Sequence, residues 1–529
     1  MDSSLSHLLA FPAHPPPTPP LTEAEYDKQA KAHCQTLSKI PPPRLAATSK
    51  GGEHPLDVRQ SSQRKCSRAD EHGQILNPSI NSISYLRVLI ALATVQNKKS
   101  FEIADAYHPG SPLWAKALDF INHFDPIQIR YSGTEMRYLV EATAIAAIGH
   151  RQPAAAIAPV RTAILRIDPL GATFTSSHPF LPQLCLLAQD YTAALPLLDL
   201  DIYHFPTTTQ KATQDTADPL SPFLCSHHES SSTYINSFTG LTGKIEDHEH
   251  LQYFLWGAMC YMAFKDWERA LLFLEIVMVS PTASTASKIQ VEAYKKWVLV
   301  SLLHRGKVPS IPKTTNTQAS KMFQQLGKPY IGLADVFRDG IQKEESVANL
   351  VDEATAGNSL WTEDCNSGLI RQVLHTYRKY SILQLQSTYA ALFISEVTRR
   401  TSPDVNDYAE TAQYVIKLIS TGQLNATISK PGEEPSLWVL RFTEVQEKAS
   451  GKRSEEQQLS DLSRQITKVK TIMSHVQESE RKYGLNRSYV QEAKKMKKDA
   501  ANGGGDGNAW SGQMDGLELD QDEDVMAEM

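Results

Sequence analysis

One stretch constrains the fold of this 529-residue chain more than any other, FLWGAMCYMAFKDWERALLFLEIVMVSP at 254–281. Its large apolar residues are interrupted near the middle by the polar turn KDWER at 265–269. On both sides of that turn the apolar and small residues keep helical spacing, with Phe254, Ala258 and Tyr261 before it and Ala270 and Leu274 after it. Because alanines at facing positions let two helices approach closely, the stretch predicts two short antiparallel helices.

The turn of this hairpin recurs along the chain. KDWERALLFLE at 265–275 aligns with QDYTAALPLLD at 189–199 in its polar, aromatic, alanine and acidic positions. RQPAAAIAPVR at 151–161 is a weaker third copy, with Pro153 in place of the aromatic residue. Recurrence of one helical hairpin is typical of tetratricopeptide-like repeats. The alternative at this level is a set of ordinary amphipathic helices in a bundle without repeats.

The composition divides the chain into five segments. Residues 1–75 contain PPPTPP and PPPR and are predicted to form a disordered proline-rich arm. Residues 76–367 are predicted to form a helical-repeat domain with a loop insertion at about 205–247. In this domain Ser287 and Gln290 predict a capping box, and Gly306 predicts the end of the same helix.

Three further segments differ from the repeats. Residues 368–445 combine helices with two short strands, LNATIS and LWVLRF, joined by KPGEEP, which is the pattern of a winged helix with a β-hairpin. Residues 454–498 are predicted to form a long helix followed by the basic run KKMKK. Its apolar residues alternate at spacings of three and four, as in a coiled-coil seam that needs a partner helix. Residues 499–529 are predicted to be a disordered acidic tail.

No residue pattern predicts catalysis. The histidine pairs His227–His228 and His248/His250 lie in or beside the predicted loop and lack the spacing of a zinc hydrolase. GLTGKI at 240–245 is too short between its glycines for a phosphate loop. The six cysteines contain no CxxC pair. We therefore expect a protein that is not an enzyme and has no metal or cofactor.

The charge and hydropathy patterns bear on the location and on the class of partner. The formal net charge of −6 gives no overall basic footprint, and no apolar run reaches the roughly 18 residues that span a bilayer. The chain also lacks a secretory signal pattern, which leaves the cytoplasm and nucleus as the expected location. Arg399 and Arg400 suit a nucleic-acid-binding winged helix, but Asp407, Glu410 and the acidic hairpin oppose a duplex. A winged helix that binds proteins is favoured.

Helical repeats followed by a winged helix and a terminal helix resemble the PCI-domain subunits of the proteasome lid, the COP-9 signalosome and a translation initiation complex. LCLLAQDYTAALPLLDLDI, EAYKKWVLVSLLHRGKVPSIP, AETAQYVIKLISTGQLNATIS and NRSYVQEAKKM are most similar to the third-subunit family of the COP-9 signalosome, in a fungal form. The resemblance covers about 180–500, with a fainter match at 127–131. The arm and the 205–247 loop have no counterpart in it and are expected to be lineage-specific additions.

The resemblance implies a fold and a role. The fold is mainly α, with a right-handed superhelical stack of repeats, a PCI winged helix and a long C-terminal helix. The role is that of a non-catalytic scaffold in the complex that removes Nedd8 from cullins, with a metalloprotease in another subunit. The expected partners are other signalosome subunits and, through them, cullin–RING ubiquitin ligases, with neither a membrane nor nucleic acid. The open alternatives are a proteasome-lid or translation-initiation PCI subunit and a winged-helix nucleic-acid binder.

The resemblance also assigns two partner interfaces. It places the heptad residues in a bundle with helices of other subunits, namely Leu459, Leu462, Ile466, Val469, Met473 and Val476. It places the hairpin in an arc of winged helices paired edge to edge, through Asn425, Ala426, Thr427, Ile428, Leu437 and Val439.

Overall fold

The computed structural model of the chain is mainly helical with one small sheet. It describes residues 7–11, 23–47, 56, 76–96, 106–206, 231–236, 239–282, 286–342, 347–401, 408–430, 432, 434–442 and 455–485. Residues 1–208 with 222–460 form one unit, and residues 209–221 with 461–529 form a second, which holds most of the last helix. Among the described residues no helix is long and apolar enough to cross a membrane.

The first half of the chain contributes eleven α-helices to the described part. They are α1 (Glu23–Ser38), α2 (Pro42–Leu45), α3 (Ser82–Gln96), α4 (Pro112–His123), α5 (Pro126–Ile129), α6 (Gly133–Gly149), α7 (Ala154–Ile167), α8 (Phe180–Ala188), α9 (Leu195–Leu198), α10 (Ser231–Tyr234) and α11 (Asp247–Phe264). Short 3₁₀ turns at Arg130–Ser132 and Thr192–Ala194 lead into α6 and α9.

The second half begins with α12 and ends with the longest helix. Its elements are α12 (Trp267–Val279), α13 (Lys288–Arg305), α14 (Thr317–Leu326), α15 (Lys328–Gln342), α16 (Ala348–Ala356), α17 (Asn358–Glu363), α18 (Ser367–Thr388), β1 (Ala391–Phe393), α19 (Ile394–Thr401), α20 (Tyr408–Ser420), β2 (Ala426–Ser429), a 3₁₀ turn (Pro435–Leu437), β3 (Val439–Phe442) and α21 (Glu455–Leu485).

The turn between paired helices is the repeated feature that the sequence alignment predicts. The first residue of each aligned segment has a left-handed backbone, and a fourth such turn follows α17: φ is 55° at Arg151, 59° at Gln189, 61° at Lys265 and 55° at Cys365. In each turn the next residue donates its N–H to the carbonyl five positions earlier, from Gln152 to Ala147, Asp190 to Cys185, Asp266 to Tyr261 and Asn366 to Trp361. These are Schellman C-caps, and the predicted repeat is confirmed.

The hairpin of α11 and α12 is packed as its small residues predict. Ala258 and Ala270 are fully buried, and the ring of Phe273 lies edge-on to Tyr261 at a centroid distance of 5.1 Å. A Cβ added at Gly257 would stand 2.8 Å from Phe273, so this glycine also sets the closeness of the two helices. The Ser287–Gln290 capping box and the left-handed C-cap at Gly306 are both present on α13.

The N-terminal arm differs from its prediction as a disordered segment. Within residues 1–75 the structure contains α1 and α2, with Tyr26, Ala30 and Leu37 buried against the repeat core. These residues are spaced four and seven apart, which is a helical stripe. The proline clusters on either side lowered the average hydrophobicity and concealed it.

The 205–247 insertion is also more ordered than predicted in its described part. Tyr234 and Leu241 are buried, and Tyr234 donates its hydroxyl hydrogen to the carbonyl of Ile167 at 2.8 Å. Gly133, at the start of α6, lies so close to this segment that a Cβ there would stand 2.2 Å from the Thr239 carbonyl oxygen. Residues 239–243 therefore pack directly against the repeats.

The winged helix contains one strand more than the predicted hairpin. β3 pairs antiparallel with both β1 and β2, giving the order β1-β3-β2, with Leu440 opposite Leu392 on one side and Ile428 on the other. The three strands and the helices α19 and α20 enclose a core separate from that of the repeats, and it includes Ile382, Val397 and Val415.

The boundary between the two domains falls inside α18 rather than at its first residue. Val373 and Tyr377 in its first half belong to the repeat core, whereas Ile382 and Leu385 in its second half belong to the winged-helix core. One continuous helix therefore joins the two domains. The predicted division at 367/368 lies about three to four turns too early.

Candidate partner interfaces

The C-terminal helix α21 carries the predicted heptad residues along one exposed stripe. Their exposed fractions are Leu459 63%, Leu462 55%, Ile466 49%, Val469 53%, Met473 54% and Val476 49%. From the first to the last the stripe is about 26 Å long at a rise of 1.5 Å per residue. We call these six residues the seam.

One apolar neighbour of the seam is not among the residues predicted from the heptad spacing. Ile472 is 37% exposed and lies beside Met473 at a flanking position of the heptad. The other flanking positions include Gln465, Lys470 and Gln477, which are exposed and carry a single positive charge. An apolar stripe with weakly charged flanks suits association through buried side chains more than through ion pairs.

The winged-helix sheet presents two edges, formed by β1 and β2. The backbone of β3 is paired on both sides, so Val439 lies in the central strand and cannot offer a strand edge. Strand addition at the hairpin is therefore open only to β2, where Thr427 is exposed while Ala426 is buried. Asn425 precedes this strand, and Ile428 is half-buried within it.

The outer face of the sheet carries apolar side chains that the hairpin prediction did not fully identify. Phe393 is 54% exposed and stands opposite Val439, and Leu437 is 52% exposed just before β3. Phe393 was missed because the segment around it was interpreted as helical. In the structure Leu392 is half-buried and Phe393 is exposed, but TYAALF has no alternation of polar and apolar residues from which a strand could have been predicted.

The arginines that suggest nucleic-acid binding are engaged by a carboxylate on their own helix. Arg399 Nη2 lies 2.5 Å from Glu396 Oε1, and Arg400 Nε lies 2.7 Å from the same oxygen. Arg400 also donates to the hydroxyl of Tyr389 at 2.8 Å. A phosphate would therefore have to compete with Glu396 for both guanidinium groups.

The described residues that were candidates for binding a metal or a phosphate do not form one site, and each contacts a different neighbour. His248 lies 3.3 Å from Glu246, and His250 is half-buried against Phe205 with its pKa lowered by burial. His227 and His228 lie outside the described residues. Across the part of the chain that the structure describes, no three metal-binding side chains cluster. In GLTGKI the glycines pack closely against Thr134 and Arg137.

A small cavity lies between α6, α7 and the segment before α8. It measures about 20 Å³ and is lined in part by Arg137, Asp168 and His178, which is room for one water molecule. Thr175 donates its backbone N–H to Nδ1 of His178 at 3.0 Å, and complete burial lowers the pKa of this imidazole to about 3. The ring is therefore neutral at pH 7.

Two buried thiols also lie inside the repeat core. Burial raises the pKa of Cys185 and of Cys260 to about 12. Because the thiolate is the reactive form of cysteine, neither thiol is activated at neutral pH.

Known proteins resemble this chain over nearly its whole length. A curated protein of Emericella nidulans named COP9 signalosome complex subunit 3 is 33% identical over 522 residues, covering 96% of this chain and 98% of its own. A protein of the same name from Neurospora crassa is 28% identical over 508 residues, covering 95% of this chain and 93% of its own. The chain belongs to the COP9 signalosome complex subunit 3 family.

A family model described as the N-terminal helical repeats of COP9 signalosome complex subunit 3 matches residues 56–225 and 229–318. This match corrects the expectation that the 205–247 insertion is a lineage-specific addition, since most of it falls inside the family model. The two fungal relatives extend the similarity beyond the repeats into the winged helix and α21, because each covers at least 95% of this chain.

Proposed function

We propose that this chain is a scaffold subunit of the COP9 signalosome and holds other subunits through its seam and its winged-helix sheet. The observation that carries this proposal is the seam, whose six apolar residues are 49–63% exposed on a helix that lies within the stretch matched by a nearly full-length fungal relative. Leaving such a stripe in water is unfavourable. A partner helix that covers it recovers that free energy.

The two interfaces differ in the interactions they offer. The seam presents side chains to a helix and depends on apolar burial. The sheet presents the backbone edge of β2 to a strand of another winged helix, with Phe393 and Leu437 exposed beside the central strand on the outer face. We expect the seam to supply most of the affinity and the strand edge to fix the orientation of the neighbouring subunit.

The chemistry of the complex would reside in another subunit. In this proposal the chain positions a metalloprotease subunit that removes Nedd8 from cullins of ubiquitin ligases, and it takes no part in bond cleavage. It acts in the cytoplasm and the nucleus, where cullin–RING ligases would be its targets.

Purification of the tagged full-length protein from its own cells tests the proposal. Other subunits of the signalosome, including a metalloprotease subunit, are expected in the purified material in fixed proportions. Loss of Nedd8 removal from cullins when this chain is depleted, with recovery on re-expression, would support the scaffold role. Recovery of the chain alone, or with nucleic acid in place of protein partners, would refute it.

A further inference from the structure

The first described residues of the chain, His7–Phe11, occupy a groove between α1 and α3. Leu8 is 2% exposed and Phe11 is 6% exposed, whereas Leu9 between them is 46% exposed. Two side chains three positions apart therefore point into the protein while the one beside them points to solvent. This is how a short helical-turn motif binds in a receptor groove.

The walls of the groove contact the ring of Phe11 and the backbone carbonyl of Leu8. The ring of Phe11 stacks on His33 at 5.1 Å with an interplanar angle of 18°, and its centroid lies 5.1 Å from that of Tyr26. Ser84, on α3, donates its hydroxyl hydrogen to the carbonyl of Leu8 at 2.7 Å. Both α1 and α3 thus hold the segment.

Two hydrogen bonds within the groove connect His33, Ser84 and the carbonyl of Leu8, and their directions require only a neutral imidazole at His33. His33 Nε2 lies 3.0 Å from Ser84 Oγ, and since that hydroxyl hydrogen is directed to Leu8, the imidazole is the donor. Burial, with a further contribution from His7, lowers the pKa of His33 to about 4. The ring therefore remains neutral at pH 7 and donates a single hydrogen bond.

We propose that the groove between α1 and α3 is a peptide-binding site for a short apolar motif with leucine and phenylalanine three positions apart, and that residues 7–11 are its resident ligand. The motif is joined to α1 only through residues 12–22, which contain the PPPTPP run. The groove recognises the motif by its side chains and one carbonyl, so it binds the same sequence when supplied as a separate peptide. This inference is independent of the scaffold role.

The test uses a variant that lacks residues 1–14 and a fluorescent peptide of the sequence MDSSLSHLLAFPAH. Fluorescence anisotropy is expected to show saturable binding to the truncated protein and much weaker binding to the intact chain, because a tethered motif has a high effective concentration. Peptides with Leu8→Ala or Phe11→Ala should each bind at least about thirtyfold more weakly.

The matched control is the Leu9→Ala peptide. It removes a leucine adjacent to Leu8, but one that faces solvent, and its affinity should change less than about threefold. Equal loss of affinity for the Leu8→Ala and Leu9→Ala peptides would overturn the proposal. So would absence of binding to a truncated protein whose circular dichroism shows a folded, helical chain.

Full-length variants keep the test decisive if the truncated protein does not fold. Leu8→Ala is expected to accelerate amide hydrogen exchange in α1 and α3 relative to Leu9→Ala, and added wild-type peptide should restore the protection. Identical exchange in the two variants, or no effect of the peptide on Leu8→Ala, would overturn the proposal.

Discussion

The double substitution Ile466→Asp with Met473→Asp separates the seam's role in assembly from any role in folding. Ile466 is 49% exposed and Met473 is 54% exposed, so about half of each side chain remains to be buried by a partner. Complete burial of such a side chain contributes about 1.5–3 kcal/mol. The remaining halves together therefore contribute about 2 kcal/mol, which corresponds to a roughly thirtyfold change in affinity.

The aspartates also have a desolvation cost, which the value derived above from the exposed fractions does not include. A carboxylate transferred from water into an apolar helix interface without a partner costs several kcal/mol more. The combined loss is expected to exceed about a thousandfold in affinity. The isolated chain should change its free energy of unfolding by less than about 1 kcal/mol, because both positions face solvent and the helix propensities differ little.

The matched control is Thr467→Asp with Ser474→Asp, which adds the same two charges one position further along α21. Both residues are exposed, and their hydroxyls bond only to carbonyls of the preceding turn. Co-purification of signalosome subunits with each tagged variant, followed by quantitative mass spectrometry, measures the difference. Equal recovery with the seam variant and the wild type, or equal loss with the control, would show that the seam is not the interface.

Two further predictions concern the repeat domain. Gly133→Ala should lower the free energy of unfolding by about 1–3 kcal/mol in denaturant titrations, because its Cβ would meet the Thr239 carbonyl at 2.2 Å. Gly149→Ala, at the other end of α6 with nothing within 4 Å, should be neutral or slightly stabilising, and the reverse order would contradict this packing. His178 has a folded pKa of about 3, so only the unfolded chain gains its proton between about pH 6.5 and pH 3. The contribution of His178 to the free energy of unfolding is therefore fully present above about pH 6.5, and it falls by up to about 1.4 kcal/mol per pH unit below that pH. His178→Asn should reduce this slope in urea titrations at several pH values.

The seam and the repeat turns show what local spacing predicts well. Each depends on residues within a few positions of one another, and their periods of 3.5 or 3.6 are visible in the chain itself. The heptad residues lie on one exposed stripe of α21 as predicted. The aligned segments begin at left-handed residues Arg151, Gln189 and Lys265. The fourth turn, at Cys365, was missed because Ser367 and Ile370 replace the aromatic and alanine that identify the others.

The N-terminal arm and strand β1 show where the spacing of residues along the chain was insufficient to predict the structure. The stripe of Tyr26, Ala30 and Leu37 is short. The helix α1 that carries it is ordered by packing against α3 and against residues near Tyr131, about 100 positions away. β1 has only three residues and becomes a strand because β3, from Val439 onward, pairs with it. Such segments gain their structure from contacts whose sequence separation no local pattern encodes.

By itself the sequence determined the helical hairpins, the heptad stripe, the hairpin strands β2 and β3 and the family. Each of these follows from the spacing of side chains along a regular backbone or from matching segments. Tertiary structure alone decided which strand is central, where inside α18 one core ends and the next begins, and that Leu8 and Phe11 fill a groove. These outcomes depend on how surfaces distant in sequence compete for burial, and that competition is resolved only when the whole chain packs.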